Sequence, residues 1–178
     1  MNAIERAVAR WTNPATRPLF KGSLIDPATG CMCAQGDVLF HEGGFSAEDL
    51  ADMSQDKADE ATMRLLGISR GHAVLLRNVN DSAEGQPQNV LTDPASVLGP
   101  QTPTILRFWR YLDRMTPEQW SAAGSAAWSA AGSAARSAAW SAEYATYEIM
   151  GADEFGRSEM PFYFLKHFGF NSPADIPE

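Results

Sequence analysis

Apolar residues recur at helical spacing along much of this chain. In "NAIERAVARW", Ile4, Ala7, Val8 and Trp11 fall at i, i+3, i+4 and i+7, one stripe of a helix that Asn13-Pro14 should end. Thr12 to Gly30 is rich in Pro, Thr and Gly and predicts a loop, with "DPATG" as a turn and a short strand at Ser23 to Ile25. In "CMCAQGDVLFHEGG", Met32, Val38, Leu39 and Phe40 do not settle the period; helix is preferred over strand. Ser46, with Asp49 three residues on, predicts a helix start, and "ADEATMRLLG" carries the apolar face to a stop at Gly67. Ser69 caps a further helix, "RGHAVLLRNVN", with Val74, Leu75 and Val79 as core candidates, before the polar loop "DSAEGQPQN".

Thr92-Asp93-Pro94 resembles a cap followed by an early helical proline, and Gly99-Pro100 closes that short helix. "PTILRFWRYLDRM" is strongly amphipathic, with Ile105, Phe108, Trp109 and Leu112 on one face and Arg107, Arg110 and Arg114 on another. Thr116, Pro117 and Gln119 form a start signal for a helix running to Gly151. Beyond it, Phe162, Phe164, Leu165, Phe168 and Phe170 form an aromatic segment expected to dock on the core.

That last helix contains "WSAAGSAAWSAAGSAARSAAWSAEY", residues 120 to 144, a four-residue repeat. A helix turns about 100° per residue, so each repeat drifts about 40° around the axis and Trp120, Trp128 and Trp140 spiral instead of sharing a stripe. Small side chains let neighbours approach on several sides, although Gly124 and Gly132 each cost roughly 1 kcal/mol against Ala. Thirty-five helical residues would span about 52 Å, against a diameter of about 40 Å for a compact chain of this length. The helix should therefore kink at a glycine or protrude into a partner, a homodimer in the second case. The expected fold is mainly α: a single domain of N-terminal helices and loops (1–115), the repeat helix (116–150) and the aromatic C-terminal segment (151–178).

Composition narrows the function classes. With 44% hydrophobic and 20% charged residues among 178, the chain can bury a core. A formal charge of −8 argues against direct binding to nucleic acid or anionic membrane, which needs a basic surface. No apolar run approaches the roughly 18 residues of a spanning helix, and the charged first residues lack a signal-peptide pattern, so a cytoplasmic protein is expected. Cys31 and Cys33 stand too close in sequence to bridge distant segments and are expected as reduced thiols.

Taken in order, "MCAQGDVLF", "LLGISRGHAVLLRNVNDS", "LTDPASVLGP", "LRFWRYLDRM" and "ATYEIMGA…PFYFLKHFGFNSPADI", with the repeat between the last two, resemble small uncharacterised proteins of bacteria and their phages or plasmids. Those proteins carry an Ala-Ala-Trp-type helical tract before an aromatic C-terminal segment. The resemblance implies an accessory role on a mobile element and assigns no catalytic residue.

Three constellations offer chemistry. Cys31-x-Cys33 with His41, and His72 or His167 as a fourth donor, has zinc-ligand types, but the second paired cluster of a zinc site is missing, so ordinary core thiols and no metal are expected. Cys33 as nucleophile, His72 as base and Asn80 or Asp81 as orienting group could make a hydrolase, but no nucleophile elbow or phosphate-binding loop accompanies them. Residues 37 to 60 hold Asp37, Glu42, Glu48, Asp49, Asp52, Asp56, Asp59 and Glu60 against Lys57 alone. Such a patch could be a solvated helix face, or could mimic the phosphate series of DNA in the groove of a basic protein. The amide-rich "RNVNDSAEGQPQN", 77 to 89, is expected as a solvated connection.

The preferred reading is a non-enzymatic cytoplasmic accessory protein without a cofactor. It would bind a protein partner through Glu48, Asp49, Asp52, Asp56, Asp59 and Glu60, as an acidic inhibitor of a host defence or nucleic-acid-binding enzyme. The alternatives are a Cys/His-dependent enzyme and a structural homo-oligomer assembled through the repeat.

Overall fold

The structure, a computed structural model, describes residues 1–16, 18–125, 165 and 168–178. It is mainly α-helical and divides into two compact units, Met1–Val97 and Leu98–Glu178.

In the first unit, α1 (Ala3–Thr12) opens on a reciprocal cap: Glu5 N–H donates to Asn2 Oδ1 at 2.9 Å, and Asn2 N–H to Glu5 Oε2 at 2.9 Å. The following loop turns sharply at Asp26, whose side chain accepts from Ala28 N–H and Thr29 Oγ1 while Gly30 N–H reaches its carbonyl. Of the short strand expected at Ser23 to Ile25, a single antiparallel bridge forms, from Ile25 to Met32. The ambiguous "CMCAQGDVLFHEGG" divides: Met32 forms that bridge, and α2 (Ala34–Gly43) starts from Cys33 as its cap and ends at Gly44, left-handed at φ 71°.

The expected single helix from Ser46 to Gly67 is two helices, α3 (Ala47–Asp52) and α4 (Gln55–Leu66), broken at Met53-Ser54, where both residues are extended. Leu50 of α3 and Ala58 of α4 both reach the core, which also takes Leu24, Ile25, Cys33, Leu39 and Ala61. Ser69 caps α5 (Arg70–Asp81) through His72 N–H, as its position suggested. The polar loop expected after it is shorter than its composition implied: residues 77–81 close α5, and Pro87 at the first turn opens α6 (Pro87–Thr92). The helices α2, α4 and α5 pack mutually, with α6 against α5 and α1. Next comes α7 (Ala95–Leu98), whose last residue begins the second unit.

In the second unit, α8 (Thr102–Leu112) buries Ile105, Phe108, Trp109 and Leu112, the face its spacing marked. Arg107 of α8 donates from Nη2 to the Pro173 carbonyl at 2.6 Å, and Arg114, just past the end of α8, from Nη1 to the Glu178 carbonyl at 2.7 Å. Thr116 and Gln119 exchange hydrogen bonds as a cap, and residues 117–125 are helical. Of the aromatic segment, Phe168 and Phe170 dock within this unit, Phe168 edge-on to Phe108 at 5.2 Å and Phe170 edge-on to Tyr111 at 4.9 Å; Trp120 meets Phe168 at 6.2 Å. Trp128, Gly132, Trp140, Phe162, Phe164 and His167 lie outside the described residues. Among those described, no helix is long and apolar enough to cross a membrane.

Candidate functional site

Of the candidate catalytic groups, Cys33 is committed to helix capping. Its Sγ accepts from Gly36 N–H at 3.3 Å, it is 4% exposed, and burial pushes its thiol up to about 11. At pH 8 only about one such thiol in a thousand is a thiolate. His72 sits in the first turn of α5, its Nε2 at 2.6 Å from the Val90 carbonyl of α6; a carbonyl can only accept, so Nε2 carries a hydrogen and donates there. Asn80, the candidate orienting group, joins three segments: its Oδ1 accepts from Ala34 N–H, and its Nδ2 donates to the Phe20 carbonyl and to Asp81 Oδ1. The nucleophile, base and orienting group inferred from sequence thus each serve local structure. Limited alkylation of the native protein at pH 8 should modify half-buried Cys31 well before Cys33, read by peptide mass spectrometry; equal rates would contradict the burial of Cys33.

Cys31 and His41 line one cavity of about 290 Å³ with Asp37, Arg10 and Trp11. His41 Nε2 stands 3.5 Å from Asp37 Oδ2. Among the described residues no group of three or more His, Cys, Asp or Glu side chains is placed to hold a metal ion.

Folding sorts the carboxylates of residues 37 to 60 into two sets. Asp37 and Glu42 turn toward α1, where Arg10 donates to Asp37 at 2.8 Å and to Glu42 at 2.9 Å, and Arg6 Nε donates to Glu42 at 3.0 Å. The Arg6 hydrogen bond, against some desolvation, holds Glu42 below the usual carboxylate range. Asp59 corrects the surface reading made from sequence: it is 3% exposed, accepts from Gln35 Nε2 at 2.7 Å and from Arg77 Nη1 at 3.1 Å, and burial raises its pKa despite both partners. Glu48, Asp49, Asp52, Asp56 and Glu60 remain exposed on α3 and α4. Asp49 is held down by the Ser46 cap, Asp56 meets Arg70 at 3.3 Å and Glu60 meets Arg64 at 2.8 Å.

A second cavity, of about 340 Å³, opens between the Gly22–Pro27 loop, α3 and the end of α5. Comparison with protein-family models, curated proteins and solved structures finds no match for this chain.

Proposed function

We propose that this protein is a non-catalytic accessory protein that works in the cytoplasm by binding a basic protein partner through the exposed carboxylates of α3 and α4. One observation carries the reading: Arg6, Arg10 and Arg77 are consumed by Asp37, Glu42 and Asp59, so the carboxylates left on α3 and α4 face solvent in excess of the nearby cations. A surface of that sign attracts a groove built for phosphates and steers its approach. The resemblance to proteins of phages and plasmids supplies the setting, in which the partner is a host nucleic-acid-binding or defence enzyme and binding inhibits it. The capping role and high pKa of Cys33 favour this reading over a thiol hydrolase.

The test is capture of basic proteins from host lysate at low and high salt. The combined variant Glu48→Lys, Asp52→Lys and Asp56→Lys should lower salt-sensitive capture of the partner at least about tenfold. Because these side chains are exposed, the variant should keep the native circular dichroism spectrum. Undiminished capture by a folded variant would refute the acidic-face reading.

A further inference from the structure

The 340 Å³ cavity lies wholly within the first unit and within the size range of small-ligand sites. Its apolar wall comes from Leu24, Ile25, Leu50 and Met53, and its charged wall from Arg77 and Asp81. These two stand four residues apart on α5, so one helix face presents them about 6 Å from each other. Opposite charges at that spacing ordinarily pair. Here each is held by other groups, and the two stay separate on one wall.

Arg77 Nη1 donates to Asp59 at 3.1 Å, and with the Gln55 amide turned so that its oxygen faces the guanidinium, that oxygen accepts from Nε at 3.2 Å and from Nη1 at 2.6 Å. Nη2 has no partner among the described residues, and the side chain keeps 16% of its surface open. Asp81 is exposed, and its Oδ1 accepts from Gly22 N–H at 3.0 Å and from Asn80 Nδ2 at 2.8 Å, while Oδ2 has no partner among the described residues. Lys21, beside Gly22, gives its ammonium to the Ser82 carbonyl at 2.5 Å instead. The Asp81 charge is felt inside the cavity. After burial, which is the larger cause, it helps to push up the thiol of Cys33, another lining residue.

The wall therefore offers a donor on a fixed cation and an acceptor on a fixed anion, side by side next to aliphatic surface. A ligand anion would meet the donor but face Asp81, and a ligand cation would meet Asp81 but face the guanidinium; a molecule carrying both charges satisfies both. We infer that this cavity binds a small zwitterion with an aliphatic side chain, a free α-amino acid of the leucine type, its carboxylate meeting Arg77, its ammonium meeting Asp81 and its side chain lying on Leu24, Ile25, Leu50 and Met53. Because Asp59 already matches the Arg77 charge, the carboxylate gains a charge-assisted hydrogen bond and little more, which places the affinity in the millimolar range. The inference does not depend on the acidic face, and its test involves no protein partner.

The experiment is a titration of the full-length ¹⁵N-labelled protein with L-leucine, following the Gly22 backbone amide and the Arg77 Nε resonance. Three analogues each lack one feature: isoamylamine the carboxylate, isocaproate the ammonium and glycine the side chain. Leucine should shift both resonances and saturate below about 10 mM, at least about fivefold more tightly than any of the three. The variant Asp81→Asn keeps an oxygen for the Gly22 N–H and should retain the native amide spectrum. It should lower leucine affinity at least about fivefold and leave isocaproate affinity equal or higher, a split that mere loosening of the site would not produce. If Asp81→Asn does not fold, Ala51→Trp, at an exposed position on the cavity rim, should abolish leucine binding with the native spectrum retained. Absence of saturation, equal affinity for any of the three analogues, or unchanged leucine binding by a folded variant would overturn the inference.

Discussion

Replacing Gly36 with alanine is expected to destabilise the first unit by about 3 kcal/mol or more, a fall of at least about 12 °C in melting temperature. In an ordinary helix interior the same change would add up to about 1 kcal/mol, since alanine is the better helix former. Here the sign reverses because α2 runs against the backbone of the preceding loop. An ideal Cβ on Gly36 would fall inside the van der Waals envelope of the Leu24 carbonyl oxygen, with the Leu24 carbonyl carbon at 2.9 Å and Met32 Cβ at 3.3 Å. A flexible side chain could step aside, but this carbonyl also accepts from Cys33 N–H at 3.1 Å, so moving it breaks the start of α2. Thermal melts by circular dichroism decide the matter. A Gly36→Ala variant as stable as the parent would show that the loop and helix are not in such close contact.

The second large effect is expected at Arg77. Truncation to methionine strands Asp59, and removing one partner of a buried ion pair costs about 3–5 kcal/mol at neutral pH. The pH dependence has a definite sign. Burial already raises the folded-state pKa of Asp59 above its ordinary value, and losing Arg77 raises it further. A carboxyl that binds its proton more tightly when folded destabilises the fold above its folded pKa, and that penalty fades as pH falls through the folded pKa to the unfolded value. The deficit of Arg77→Met relative to the parent should therefore shrink on acidification. Adding Asp59→Asn should restore most of the loss at neutral pH, because the asparagine oxygen still accepts from Gln35 and no charge remains buried. Urea melts at neutral and acidic pH measure both effects; a deficit independent of pH would mean that Asp59 is not the source.

Helix ends were legible from the sequence because caps act over three or four residues. Ser46, Ser69, Thr116, Gly67 and Asn13-Pro14 each mark a boundary that forms. The break at Met53-Ser54 was not, since Leu50 and Met53 continue the helical spacing and Ser54 makes no side-chain cap bond to betray a new start. Pro87 did carry a usable signal, a proline at the first helical turn, hidden by the polar residues around it. The charge pattern misled more seriously. Counting carboxylates in a window cannot see that Asp37 is met by an arginine 27 residues earlier, Glu42 by one 36 residues earlier and Asp59 by one 18 residues later. The cavity arises from the packing of segments remote in sequence and had no sequence signature.

The Asn80 amide ties the end of α5 to the start of α2 and to Phe20, just ahead of the loop that walls the larger cavity. One buried side chain thus sets three stretches of backbone against one another. The conformational entropy of doing so is lost in a single folding event, so truncating that amide would loosen all three stretches together and not one at a time.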